Sequence, residues 1–262
     1  MSMEAGVGLR LTILGSGTSH GIPMIACDCP VCRSSDPRDR RTRTSAVFEY
    51  DGHHILIDTS PELRLQCLAC DVRRVDAILF THAHADHVVG LDDVRRFNHL
   101  HAAPLRVYGS PATLEVVQRM FAYAFEDDPD YPSTKPQLEP VAVTGPFELF
   151  GRTVTPIAYR HGELEVLGYR IGDVAYCPDC SFIPEESRAL LAGLDVLVLD
   201  ALRRRPHPTH FNLEQALVEA RRIGARRTYF THIAHELGHA ETSAMLPPGI
   251  ELAWDGLVCE SM

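Results

Sequence analysis

The sequence predicts an α/β fold in which two sheets pack face to face with helices on the outside. Two observations carry that expectation. Short β-branched and aromatic runs alternate with amphipathic helical patterns along the chain. Polar residues able to bind metal or move protons recur one or two positions beyond those runs, where strands give way to loops.

Residues 9–14 alternate in hydropathy and run into the tight turn Gly15-Ser16-Gly17. Residues 45–50 and 54–58 read as a hairpin across Asp51-Gly52. Asp58-Thr59-Ser60-Pro61 reads as a helix start, with the helix over 62–70. A strand over 75–80 is followed by a helical stretch over 88–97. A strand at 104–109, a helix at 112–125 and an acidic, proline-rich surface loop at 126–140 come next. Strands return at 141–143, 152–159, 164–171 and 174–177, and a helix spans 185–192. The buried strand 194–199 ends in Asp200. A capped helix over 212–223 is closed by Gly224, and a last strand over 227–230 ends in Thr231-His232.

The chain has 262 residues and is 45% hydrophobic, enough to fill a core. We expect one domain over residues 1–262 with a cysteine loop at about 20–40. The net charge is −10, from 25 Lys+Arg against 35 Asp+Glu. That balance argues against a nucleic-acid partner, and bound divalent cations would offset part of it. The segment Met1 to Gly8 lacks the basic and apolar regions of a signal peptide. No apolar run approaches the roughly eighteen residues of a membrane helix. We therefore expect a cytoplasmic protein whose eight cysteines favour metal ligation over disulfides.

The densest signal is Thr81-His82-Ala83-His84-Ala85-Asp86-His87, directly after Ala77-Ile78-Leu79-Phe80. Imidazole and carboxylate at this density suit Zn, Mn or Fe. His161, Asp179, Asp200 and His232 likewise follow apolar runs. The second signal is Cys27-Asp28-Cys29-Pro30-Val31-Cys32. Three thiolates so close suit tetrahedral zinc, which needs a fourth ligand. His20, His235 and His239 are the candidates.

Thr-His-Ala-His-Ala-Asp-His resembles the signature of the metallo-β-lactamase superfamily, and His161, Asp179 and His232 follow in that superfamily's order. The resemblance spans essentially the whole chain. It implies an αββα sandwich, with two mixed sheets and a two-metal site on the edge. It further implies that His82, His84 and His161 hold one ion, that Asp86, His87 and His232 hold the other, and that Asp179 bridges them. Two such ions, Mn or Zn, lower the pKa of a shared water towards roughly 7. The hydroxide so formed attacks the substrate. Asp86 and His210 are the residues expected to act in the chemistry itself.

Both motifs together resemble the phosphoribosyl 1,2-cyclic phosphate phosphodiesterases of the carbon–phosphorus lyase pathway and their relatives. That resemblance implies a structural zinc on Cys27, Cys29, Cys32 and His235. It implies a small phosphorylated sugar as substrate, and a homodimer, which no segment of the sequence itself indicates. It places His210, just before the helix at 212, as general acid or phosphate donor, with His207 the weaker candidate. Arg41, Arg43 and Arg160 are the cations considered for a second substrate phosphate. Cys180, beside Asp179, is read as a small buried hydrophobe rather than a ligand. Cys67 and Cys70 are read as helix packing. The competing functions are a transfer-RNA 3′-processing nuclease, a thioester or lactone hydrolase, and a non-catalytic metal-binding protein of the same fold.

Overall fold

The computed structural model describes residues 8–128 and 130–261. The signal-peptide reading falls almost wholly outside them. The first half supplies strands β1 (Arg10–Gly15), β2 (Ser45–Tyr50), β3 (His53–Ile57), β4 (Ala77–Leu79), β5 (Leu105–Gly109) and β6 (Leu138–Ala142). The second supplies β7 (Phe147–Leu149), β8 (Arg152–His161), β9 (Leu164–Ile171), β10 (Val174–Cys177), β11 (Val196–Asp200), β12 (Arg227–Thr231), β13 (Ile250–Leu252) and β14 (Val258–Glu260). The helices are α1 (Leu63–Ala69), α2 (Ala85–Val88), α3 (Arg95–His101), α4 (Pro111–Met120), α5 (Ala122–Phe125), α6 (Glu185–Ala189), α7 (Leu213–Ile223) and α8 (His239–Ser243).

One sheet runs β14-β1-β2-β3-β4-β5-β6 and the other β13-β12-β11-β10-β9-β8-β7. Each sheet is antiparallel in one half and parallel in the other. The pairs β3-β4-β5-β6 are parallel in the first sheet, and β10-β11-β12-β13 in the second. Parallel neighbours end on the same edge, so the loops after β3, β4, β10, β11 and β12 are gathered there.

Residue parity sorts the core into three layers. Phe48, Ile55, Leu79, Tyr169, Val196 and Val198 lie between the sheets. Leu197, Leu199 and Phe230 face outward onto α7 through Leu213, Ala216, Ala220 and Ile223. Leu56, Ile78 and Phe80 face outward onto Leu63, Val88, Val94 and Val117. That is an αββα sandwich. Strand β11 is buried throughout, as a central parallel strand should be. Helix α7 carries a capping box, Asn212 with Gln215, and ends on Gly224 in the left-handed region. Such a cap is worth about 1 kcal/mol.

Several boundaries differ from the sequence reading. Strand β6 begins inside the expected loop at 126–140. It tolerates Pro140 because it is the edge of its sheet and has one neighbour only. The helical stretch at 88–97 is broken by a 3-10 segment, Val89–Val94. Gly90 is pressed so closely on Ser60 that an added Cβ would lie 1.9 Å from its carbonyl oxygen. The helix at 112–125 breaks at Phe121. The three-residue strands β7, β13 and β14 and the short α8 are too brief to show a period and are absent from the sequence reading.

Candidate metal centre

The loop from Thr81 to His87 is shaped by Asp58, which follows β3. Thr81 donates its N–H to Asp58 Oδ1 and its hydroxyl to Asp58 Oδ2, each at 2.8 Å. His87 Nδ1–H donates to the same Oδ2 at 2.7 Å. Asp58 is fully buried and sits at φ 59°. The segment 58–61, expected as a helix start, precedes α1 without capping it. Helix α1 begins later, without a side-chain cap, and the carboxylate of Asp58 orients a histidine instead. Its position at a strand end was the only signal in the sequence.

The other histidines are oriented the same way. His161 Nδ1–H donates to the Thr209 carbonyl at 2.7 Å. His82 Nδ1 lies 3.0 Å from the Thr81 hydroxyl. With Nδ1 engaged, Nε2 is the atom left for a ligand.

Those free atoms converge on Asp179, which follows β10 at φ 50°. His82, His84, His161 and Asp179 offer ligand atoms within 4.8 Å of one another, and so do Asp86, His87, Asp179 and His232. Asp179 is common to both sets. Its Oδ1 lies 3.2 Å from His87 Nε2. Its Oδ2 lies 3.3 Å from His232 Nε2 and 3.9 Å from His82 Nε2.

The residues fit divalent cations. His82 Nε2, His87 Nε2, His232 Nε2 and Asp179 Oδ1 are buried without a hydrogen-bond partner. Each such atom costs about 1–3 kcal/mol when left unsatisfied, and four of them at one point are a donor set that a divalent cation would satisfy. The electrostatics agree. Burial favours a neutral Asp179, but the His232 and His87 charges hold it well below the usual carboxylate range. Burial likewise opposes charge on His87 and His232, yet Asp179 raises both above the usual imidazole value. Burial lowers His82, as does the His87 charge, and burial brings His161 down to about 4. The carboxylates thus draw positive charge into a dry site.

His210 packs against both ligand sets. Its ring lies 4.6 Å from His232 in a stack and 4.5 Å from His161 edge-on. Its Nδ1–H donates to Asp200 Oδ2 at 2.8 Å, and Asp200 also accepts the Cys180 N–H. Asp200, His210 and His232 lie within 4.8 Å of one another too. There the Asp200 oxygen is already bonded to His210, so Asp200 and His210 form a hydrogen-bonded dyad.

The cysteine loop closes on the same edge. Ile233 N donates to the Ser16 carbonyl and Thr18 N to the Ile233 carbonyl, so the turn after β1 lies beside the loop that follows β12. His235 Nδ1 lies 3.2, 3.5 and 3.6 Å from the sulfurs of Cys27, Cys29 and Cys32. The S···N edge of a tetrahedral zinc site is about 3.6 Å. The other candidates lie elsewhere. His239 packs on Trp254, and His20 lines a cavity beside His210. Cys177 and Cys180 are buried among the apolar residues beneath α7.

The three arginines considered for a second phosphate are all engaged. Arg41 is 1% exposed and is bonded to Asp39 and the Leu237 carbonyl. Arg43 pairs with Glu62, and Arg160 with Glu165.

Residues 53–233 match the family model described as a beta-lactamase superfamily domain. The crystal structure of a diphosphatase from the PhnP family is 46% identical, with a TM-score of 0.91 and 98% of each chain covered. A curated octanoyltransferase from Porphyromonas gingivalis is 40% identical over 95% of this chain, but the chain spans only 51% of its length. The zinc-bound PqqB from Methylobacterium extorquens, 22% identical, shares the fold at a TM-score of 0.76 over 96% of this chain and 100% of that one. The matched domain, the sandwich and the full-length similarity place this chain in the beta-lactamase superfamily as a metallo-hydrolase-fold protein, and within it in the PhnP family.

Proposed function

We propose that this protein is a metal-dependent phosphodiesterase that opens a small cyclic phosphodiester, such as a phosphoribosyl 1,2-cyclic phosphate, to a phosphomonoester. The observation that carries the reading is the Asp200–His210 dyad set against both ligand sets. In this reading His82, His84 and His161 would hold one divalent ion and Asp86, His87 and His232 the other. Asp179 would contact both, and Cys27, Cys29, Cys32 and His235 would hold a structural zinc. A bound pair of divalent ions supplies activated water and charge stabilisation at phosphorus.

The chain's own groups do the rest. Asp58 and the Thr209 carbonyl hold the His87 and His161 rings in place. Asp200 fixes the His210 ring through Nδ1 and turns Nε2 to the site. Only the imidazolium form, protonated on both nitrogens, would give an Nε2 proton to the departing alkoxide. The net charge of −10 favours a small substrate over a polyanionic transfer RNA.

The similarity to a diphosphatase favours a second reading, in which the scissile bond is a phosphoanhydride. Phosphate is a better leaving group than an alkoxide, with a second pKa of about 6. Loss of His210 would therefore harm anhydride cleavage far less than diester cleavage.

The test is hydrolysis of bis(p-nitrophenyl) phosphate and of a ribose cyclic phosphate with Mn or Zn, in wild type, Asp179→Ala and His210→Ala. Metal-dependent turnover that Asp179→Ala abolishes supports the reading. A metal-loaded protein that cleaves neither compound overturns it.

A further inference from the structure

A groove of about 570 Å³ lies between α1 and α3, on the outer face of the first sheet. Leu63, Cys67, Val72 and Phe97 line it, with Leu68 and Leu100, which are 66% and 52% exposed. Burial pushes the Cys67 thiol up to about 12, so this sulfur is an uncharged part of the wall.

The two helices run in the same direction. Strands β3, β4 and β5 are parallel, α1 follows β3 and α3 follows β4. Each helix therefore returns along the same face of the sheet. Arg64 stands one turn before Leu68 on α1, and Arg96 stands one turn before Leu100 on α3. The groove thus carries these two arginines towards one end and the two leucines towards the other.

The other charges of the lining are engaged. Arg73 pairs with Asp71 at 2.7 Å, and Arg95 pairs with Asp92 at 2.6 Å. Asp93 also lines the groove, and its charge reaches Cys67. Among the described residues, neither the Arg64 nor the Arg96 guanidinium forms an ion pair. Two unpaired guanidiniums at one end of an apolar channel complement an anionic head on a hydrocarbon tail. The guanidinium fork matches a carboxylate. The volume falls within the roughly 300–1,000 Å³ of small-molecule sites, which are likewise apolar with a few convergent polar groups. Helices of seven residues are about 10 Å long, which suits a tail of medium length.

We propose that the groove between α1 and α3 binds an aliphatic carboxylate of medium chain length. Its head sits on Arg64 and Arg96, and its tail lies along Cys67, Leu68, Phe97 and Leu100. The groove shares no residue with the metal-ligand sets, so the proposal is independent of the phosphodiesterase reading.

The experiment is calorimetric titration of the protein with decanoate, hexanoate and decylamine. Decanoate should bind about tenfold to a hundredfold more tightly than decylamine, the span for hydrogen bonds to a charged group. Hexanoate should bind more weakly than decanoate, by up to about fourfold for each methylene removed. The double variant Arg64→Gln, Arg96→Gln should lose the preference for the carboxylate. Both arginines are exposed, so it should melt as wild type does. Leu68→Ser should weaken decanoate and keep the preference. Equal binding of decanoate and decylamine, or no binding of decanoate, overturns the proposal. Decanoate binding that survives the double substitution places the carboxylate elsewhere, the metal centre included, and also overturns it. Sedimentation covers the remaining occupant. A dimer that Leu68→Ser dissociates, in a protein that binds no decanoate, assigns the groove to a second copy of the chain.

Discussion

The Asp58 carboxylate lies 2.7 Å from Nδ1 of His87, and both side chains are closed off from solvent. One buried acid therefore fixes the ring whose Nε2 faces Asp179, and it anchors Thr81 at the head of the ligand loop. A partner of this kind is typically worth about 10–100-fold in metal affinity. Asp58→Asn keeps the shape and removes the charge. It should weaken the ion on the Asp86, His87 and His232 set by about that factor. Competition with a chelator measures it, and unchanged affinity would refute the role.

His210 should separate catalysis from metal binding. It packs on two ligand rings but belongs to neither of the two four-residue sets that share Asp179. His210→Gln should lower kcat on a cyclic diester by about 10²–10⁴-fold, the usual worth of a general acid. Metal content by elemental analysis should stay at the wild-type value. A variant that loses metal would make His210 a structural residue.

The cysteine loop should behave as a staple. Cys29→Ser should cost one metal equivalent relative to wild type, because structural zinc needs all four ligands. Metal binding there is coupled to folding, so the melting temperature should also fall. Elemental analysis and thermal unfolding check both effects. Retention of all the metal would exclude Cys29 as a ligand.

Stability should depend on pH through His239. Burial, aided by the Arg38 and Arg41 charges, brings its pKa down from 6.5 to about 4. The unfolded chain therefore binds a proton more readily, and this contribution is full above pH 6.5. It is lost progressively as pH falls from 6.5 to about 4. Between pH 7 and pH 5 the loss amounts to about 2 kcal/mol. His239→Phe keeps the packing on Trp254 and removes the titration. The two denaturation curves should lie close together near neutrality, and wild type should fall progressively below His239→Phe as pH drops from 6.5 towards 4. Parallel curves at every pH would refute the assignment.

The sequence by itself determined the fold class and the chemical character of the site. Strand runs such as 75–80 and the capped helix over 212–223 show their period locally. His82, His84, Asp86 and His87 are neighbours on the chain, and so are Cys27, Cys29 and Cys32. Their donor types name the class of metal without any tertiary knowledge. The short strands β7, β13 and β14 carried no such signal, because three residues cannot establish a period.

Only the tertiary structure decided which groups serve those ligands. It brought Asp58 to His87 and Asp200 to His210. The spacing left His20, His235 and His239 open and the family resemblance implied His235, which the structure puts beside the three thiols. The structure also engaged Arg41, Arg43 and Arg160 elsewhere. The physical reason is that a ligand's chemistry belongs to its side chain. Which of its nitrogens is occupied, and by what, depends on strands that are distant in sequence and end on one edge.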